Sequence, residues 1–438
     1  MAKNIFFLCS PSLGILDNWL PIIYSLKKSK PLYNYVFVIS KPGNIEHIDL
    51  ENVLIKIANN TFNQIISKSN SEKWFRTDNF NELKVITKRS SIEDLFVKLQ
   101  KKLNHHISYN PFDFFLKGII AKIENPKLKK YYIDFEHFID SSSSVLLYDI
   151  YEQQKTYNQG LVKLFKKTPA FSINHGIDIN QDQIIKKYSS KDFIKEIKAY
   201  LYSKHEIEYY KNSFGLDESD LHICGIPRHS LDWIDFIIKE SSNNIKWSTY
   251  VFLISRSLSP YFTFERKKQA LINIKKIVID ELGLKIIVKQ HPKEPSDGLF
   301  YKIFGKENHG KTWQISNEHP FTIGKRAFFA LSFYSGVSID MLALNKPIIE
   351  YLDLIGLPGY DNKDSLRDSK GEPVLSLRYL GLVLGCSDEN SLRNQVLEIK
   401  NNQDISLQKI LKKFNELFER KVDAITLVKN DIIQRLEP

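Results

Sequence analysis

The sequence predicts an α/β protein made of two Rossmann-like domains with parallel sheets. Three observations carry that prediction. Short, nearly continuous apolar runs recur along the chain, amphipathic helical patterns separate them, and the whole series occurs twice. Strands buried on both faces read as unbroken apolar runs, and strands alternating with helices form parallel sheets. The length agrees: 438 residues is too long for one ordinary core and suits two units of roughly 200 residues each.

In the first half, NIFFLC, YVFVIS, NVLIKI, SVLLYDI, AFSIN, AYLYS and LHICGI read as strands. Between them LPIIYSLKK and SIEDLFVKLQKKL read as helices. The second half supplies the strands TYVFLIS, LKIIVKQ, FFALSF, KPIIEYL and LGLVLG, with RKKQALINIKKIVIDEL as a helix. The polar stretch IKESSNNIKWS divides the two series. It predicts a first, acceptor-side domain over 1–240 and a second, nucleotide-donor domain over 241–438 that includes the C-terminal helices. From Asp404 a helical stripe of Leu407, Ile410, Leu411, Phe414, Leu417 and Phe418 suits packing on the protein or contact with a membrane.

The net charge of +11 and pI of about 9.1 suit an anionic small substrate or an anionic membrane surface. They also suit an ordinary solvated surface. The lysines form short clusters with no single basic block and no RNA-binding signature, so nucleic acid is not an expected partner. Cys9, Cys224 and Cys386 sit in or beside apolar runs, the pattern of buried, unreactive thiols. No apolar stretch reaches the roughly 18 residues that a membrane helix needs. MAKNIFFLCSPS reads as a first strand and not as a signal peptide. The expected location is cytoplasmic, with peripheral contact at the inner face of the cell membrane.

Ligands of open parallel sheets bind beyond the carboxyl ends of the strands. Six post-strand segments therefore hold the candidate residues. After strand one, Gly14 permits a tight turn, and Asp17 is either a helix cap or a base. After AFSI come His175 and Gly176; a histidine there can take a proton from a hydroxyl or simply fill a turn. GIPRH brings Arg228, a planar donor fork for phosphate or carboxylate. Arg256 follows the first strand of the second series. KQHPKE then presents Lys289, His291, Pro292 and Lys293, a proline-fixed loop whose cations and histidine suit a phosphate. Ser335, Gly336, Ser338 and Asp340 open a helix whose start can bind an anion, with a plain serine cap as the alternative. Glu350 closes the set as a candidate ribose contact. The chain has no D-x-D and no zinc spacing among its 11 histidines, so neither a metal nor a cofactor is expected.

In order, N-H-G, G-x-P-R, a strand ending in Arg, H-P-K, and S-x-x-S-x-D before L-x-K-P-I-I resemble the bacterial CDP-glycerol glycerophosphotransferase superfamily of GT-B transferases. The H-P and serine loops are also similar to those of CMP-sialic acid and polysialyl-type transferases. The resemblance covers roughly residues 170 to 352. It implies a metal-independent GT-B enzyme whose two domains face each other across a cleft. His175 would be the general base. His291, Ser335 and Ser338 would bind donor phosphates, and Arg228 would sit near the cleft. The chain departs from the glycerophosphotransferases in following H-G with Ile177 and Asp178, and in placing Gly336 in the serine loop. The sialyltransferase acidic motif is not visible, and Asp17, Asp149 and Glu152 are its stand-ins.

The expected function is a glycosyltransferase of bacterial surface polysaccharide synthesis, of the capsule or lipopolysaccharide kind. Its donor would be a cytidine-activated sugar of CMP or CDP type, an ulosonic acid first. Its acceptor would be a glycan or lipid-linked glycan hydroxyl. The rivals are polyol-phosphate transfer from CDP-glycerol or CDP-ribitol, UDP-sugar transfer or 2-epimerisation, and a non-catalytic GT-B scaffold.

Overall fold

The structure is a computed structural model. It describes residues 3–9, 13–39, 49–69, 73–87, 126–139, 143–154, 161, 164–177, 194, 196–242, 244–292, 294, 298–418 and 423–438. The chain divides into two compact units, Met1–Arg228 with Val422–Pro438, and His229–Lys421.

The first unit holds an eight-stranded sheet. Its strands are β1 (Asn4–Cys9), β2 (Asn34–Ile39), β3 (Gln64–Lys68), β4 (Trp74–Thr77), β5 (Ser144–Tyr148), β6 (Ala170–Ile173), β7 (Ile197–Leu201) and β8 (Leu221–Ile223), in the order β4-β3-β2-β1-β5-β6-β7-β8. All neighbours run parallel except β3 and β4. The unbroken apolar runs of β1, β2 and β5 are buried on both faces, as such runs require. Phe6, Leu8, Val36, Leu146 and Phe165 share one core.

The second unit holds a six-stranded, wholly parallel sheet. Here β9 (Tyr250–Ile254), β10 (Ile286–Lys289), β11 (Trp313–Ile315), β12 (Ala327–Ser332), β13 (Ile348–Tyr351) and β14 (Leu384–Cys386) take the order β11-β10-β9-β12-β13-β14. Each sheet reverses its strand order once, between β1 and β5 in the first and between β9 and β12 in the second. Such switch points open a crevice at the carboxyl ends of the strands, which is where α/β sheets bind ligands.

Several sequence expectations are corrected. NVLIKI is not a strand. Val53–Thr61 is a helix whose N-cap Asn52 accepts a hydrogen bond from the Leu54 N–H at 2.9 Å, and its buried positions follow helical spacing. The division between units falls at 228/229 and not at 240/241, because the helix Leu231–Glu240 packs on the helix Pro320–Arg326 of the second unit. IKESSNNIKWS begins with the last residues of the first of these helices, Ile238, Lys239 and Glu240. The last helix, Ala424–Leu436, belongs to the first unit, where it packs on the helix Leu13–Ser29. The helix expected to start at Asp404 begins at Glu389 and ends at Leu417, with Ile410, Phe414 and Phe418 buried in packing. The expected helix SIEDLFVKLQKKL lies outside the described residues. All three cysteines are buried thiols outside any disulfide, and burial pushes each thiol up from its ordinary value. Among the described residues no helix is long and apolar enough to cross a membrane.

Candidate functional site

In the first unit the chemistry gathers beside the switch point. Asp149 directly follows β5 and is fully buried. Its Oδ1 accepts the Tyr151 N–H at 2.9 Å, and its Oδ2 accepts the His175 backbone N–H at 3.2 Å. The same Oδ2 lies 2.5 Å from Nδ1 of His175, whose side chain is half exposed just after β6. A buried carboxylate bonded to Nδ1–H fixes the ring and its tautomer, which makes Nε2 the atom that can take a proton.

A buried polar network holds the residue before it. The Asn174 carbonyl accepts from Asn18 Nδ2 at 2.8 Å and from the Tyr202 hydroxyl. Asn18 Oδ1 in turn accepts from Arg228 at 2.6 Å. Arg228 Nε stands 3.8 Å from Asp17 Oδ2. Arg228 is thus a buried framing residue. Asp17 is the fifth residue of the helix Leu13–Ser29, so it does not cap it. Gly14 lies in that helix's first turn and not in a loop. At Gly176 an added Cβ would meet only Asn174 Nδ2, at 4.0 Å, so the backbone there has room on one side.

In the second unit Arg256 follows β9 at the other switch point. Its guanidinium sits 5.2 Å from the Tyr261 ring and 5.3 Å from the Tyr334 ring, and it donates to the Tyr334 carbonyl. Tyr334 follows β12 with φ of 68°, in the left-handed region that a bulky residue enters only under constraint. Its hydroxyl lies 3.0 Å from Ser376 Oγ. Glu350, near the end of β13, is buried, and its Oε2 has no hydrogen-bond partner among the described residues. Burial pushes its carboxyl up to about 8, with Arg378 and Arg256 pulling the other way. It is therefore mostly a neutral acid at pH 7.

The KQHPKE loop is shaped by its last residue. The buried Glu294 carboxylate accepts the His291 backbone N–H at 2.5 Å, the Ser255 hydroxyl at 2.7 Å and the Lys267 ammonium. The Glu294 N–H returns to the His291 carbonyl at 2.8 Å. Lys267 also donates to the Arg256 carbonyl at 2.9 Å, so one buried ion pair joins this loop to Arg256. Lys289 bonds the carbonyls of Asn317 and Glu318 at 3.3 and 2.7 Å, which ties the strand end to the neighbouring loop. Pro292 is exposed at the turn, and Lys293 lies outside the described residues.

The serine loop divides by burial. Ser335 Oγ accepts the Val337 N–H at 3.3 Å, and Gly336 is exposed with open space where a Cβ would stand. Ser338 is fully buried with its hydroxyl 3.2 Å from Ser332 Oγ, and buried Asp340 lies 2.8 Å from His229 Nε2. These last two residues, expected at a ligand, pack the helix Val337–Ala343 onto its surroundings, because both point inward from its first turn. Sequence reasoning missed Tyr261, Tyr334, Lys267, Glu294, Asn18 and Tyr202, and it held Asp149 only as a stand-in. Asn18, Tyr334 and Glu294 adjoin or lie within segments already singled out, and Tyr202 lies in the apolar run AYLYS; Tyr261 and Lys267 carry no local pattern that marks a site.

No protein-family model and no curated protein sequence matches this chain. Solved structures do. The chain is similar to the UDP-GlcNAc 2-epimerase of Methanocaldococcus jannaschii, with TM-score 0.52 and 14% identity over 99% of this chain and 100% of that one. It is similar to the wall teichoic acid polymerase TagF, with TM-score 0.54 and 11% identity over 99% and 89%. The UDP-GlcNAc 2-epimerase of Neisseria meningitidis gives TM-score 0.52 and 10% identity over 99% and 100%. The fold is GT-B. Its two Rossmann-like units explain why the candidate residues cluster at sheet switch points. Fold alone leaves the reaction to be argued from the residues.

Proposed function

We propose that this GT-B chain is a glycosyltransferase of bacterial surface polysaccharide synthesis. In this reading it moves a sugar, an ulosonic acid first, from a cytidine-nucleotide donor to a hydroxyl of a glycan or lipid-linked glycan. The observation that carries the reading is the Asp149–His175 pair, a buried carboxylate 2.5 Å from the ring of a half-exposed histidine. That arrangement suits deprotonation of an alcohol. The acceptor O–H gives its proton to His175 Nε2, and the oxygen forms a bond to the anomeric carbon. The bond from that carbon to the phosphate oxygen breaks, and the electron pair leaves with the nucleotide. Asp149 holds the imidazolium that forms. Asp17, already beside Arg228, is the second candidate base.

Donor binding is assigned to the second unit. Arg256 between two tyrosine rings suits an anionic or planar group. Lys289 ends β10 and His291 follows it, while Ser335 and Gly336 follow β12 on the other side of β9; all four suit the donor phosphates. The excess positive charge suits an acidic donor and an anionic acceptor.

A second reading, polyol-phosphate transfer, is favoured by the order of the H-G, H-P-K and serine loops and by the likeness to a wall teichoic acid polymerase. It uses the same base, but the alcohol attacks phosphorus. The test is thermal shift with CMP, CDP, UDP, GDP and dTDP, since a ligand at 100 times its Kd adds about 2.7 kcal/mol. Protection by CMP or CDP, lost in His291→Ala, supports the cytidine reading, and product analysis then separates sugar from polyol phosphate. Protection by UDP alone overturns the donor assignment and favours UDP-sugar chemistry.

A further inference from the structure

A groove of about 550 Å³ runs along the outside of the second unit, between the helix Phe264–Ile274 and the helix Leu299–Phe304. Phe264, Lys268 and Ile272 recur every four residues, so they share one face of the first helix. Phe264 is 42% exposed and Ile272 39% exposed, unusual for large apolar side chains of a helix that also buries Ala270, Leu271 and Ile274. Ile303 lines the opposite wall, and Tyr301 on the same short helix is 37% exposed. Leu299, Lys268, Lys275 and Lys302 complete the lining, and no acidic residue takes part in it among the described residues. Lys275 is paired with Asp280 at 2.7 Å, while no ion pair engages Lys268 or Lys302 among the described residues. Both of these ammonium groups stand on exposed residues.

We propose that this groove is a docking surface for an anionic phospholipid bilayer. Eight residues of helix separate Phe264 from Ile272, about 12 Å at 1.5 Å per residue, so a helix lying flat can set both into the interface at once. The lysines between and beside them keep their heads at the level of the lipid phosphates while their stems cover apolar surface. Lysine acts as a point charge and does not demand the planar geometry of a specific anion, which fits a fluid headgroup layer. An acidic peptide would need donors and acceptors inside the groove for its backbone, and the lining offers only lysine ammonium groups. The proposal goes beyond the transferase reading and is tested without donor or acceptor.

The full chain is sedimented with phosphatidylcholine vesicles that contain or lack phosphatidylglycerol. Binding is expected only to the anionic vesicles, weakening as salt rises. The double variant K268Q/K302Q should bind roughly 25-fold more weakly, about five-fold per lysine near the surface. Ile272→Asp should lose binding as well. The melting temperature of K268Q/K302Q should be unchanged because both lysines are exposed, and that of Ile272→Asp should fall only modestly because Ile272 is 39% exposed. Wild-type protein that ignores anionic vesicles overturns the proposal. So do variants that bind as well as wild type, since another surface is then responsible. A dimer in sedimentation equilibrium that Ile272→Asp dissolves would make a second copy of this chain the occupant and overturn it too.

Discussion

Asp149 and His175 stand 26 residues apart in the chain and 2.5 Å apart in space. Asp149→Asn is the sharpest probe of that contact. The amide keeps the size of the carboxylate but can present N–H to Nδ1, which forces the proton onto Nε2 and leaves no base there. Single-turnover rates should fall by on the order of 10²- to 10⁴-fold while donor affinity is kept. An equal loss of donor affinity would instead mean a collapsed loop. Glu350 makes a prediction about pH. Burial raises its carboxyl from an ordinary 4.5 to about 8, so the folded protein binds a proton that the unfolded chain has released. Its contribution is complete below about pH 4.5 and is lost as pH rises through about 8. Glu350→Gln removes that titration. The melting temperature of the variant relative to wild type should therefore climb between acid and alkaline buffer, by at least ~2–4 °C, the effect of about 1 kcal/mol in a domain of this size. A constant difference across that range would show that Glu350 keeps one charge state.

At the scale of the element, KQHPKE shows what a loop needs beyond its visible chemistry. The histidine and lysines suggest a ligand, but the fold of the loop rests on Glu294 and Lys267, both almost fully buried. Removing one partner strands a buried charge, so Glu294→Ala should cost about 3–5 kcal/mol in denaturant unfolding of the second unit. Lys267→Met combined with Glu294→Leu should recover much of that loss, because the pair can be replaced by apolar packing. Two single losses that simply add would argue against a coupled pair. The position of Glu294 was legible in the sequence; its role was not, because Lys267 comes from a distant helix with no motif. The same limit applied to strands. β9, β10 and β12 stand out because both faces are buried, whereas β11, with WQI, is three residues long and half-exposed. NVLIKI has the composition of a strand, and only the Asn52 cap and the spacing of its buried residues make it a helix.

At the scale of the whole molecule, the two sheets were legible because each repeats the same alternation. The return of the chain to its first unit was not. A C-terminal amphipathic helix looks the same in sequence whichever sheet it covers. In the structure Val428, Ile432 and Leu436 are buried in the first unit, and polar contacts mark the same partner. Lys198 bonds Asp431 at 2.8 Å, the Tyr200 hydroxyl bonds Asp431 at 2.6 Å, and Lys30 reaches Glu437 at 2.5 Å. Burying each large apolar side chain is worth about 1.5–3 kcal/mol. Three of them approach the 5–15 kcal/mol by which a whole domain is stable. A chain ended after Phe418 should therefore lose protection in β5 and in the helix Leu13–Ser29, while β9, β10 and β12 keep theirs. Hydrogen exchange followed by mass spectrometry reads both units in one experiment. Equal loss in both sheets would mean that the last helix stabilises the molecule as a whole and that the two units do not unfold independently. Loss confined to the first would make residues 423–438 a clamp on the unit that carries Asp149 and His175. In that case the truncated protein should still be protected by whichever nucleotide protects the full chain, yet turn over poorly.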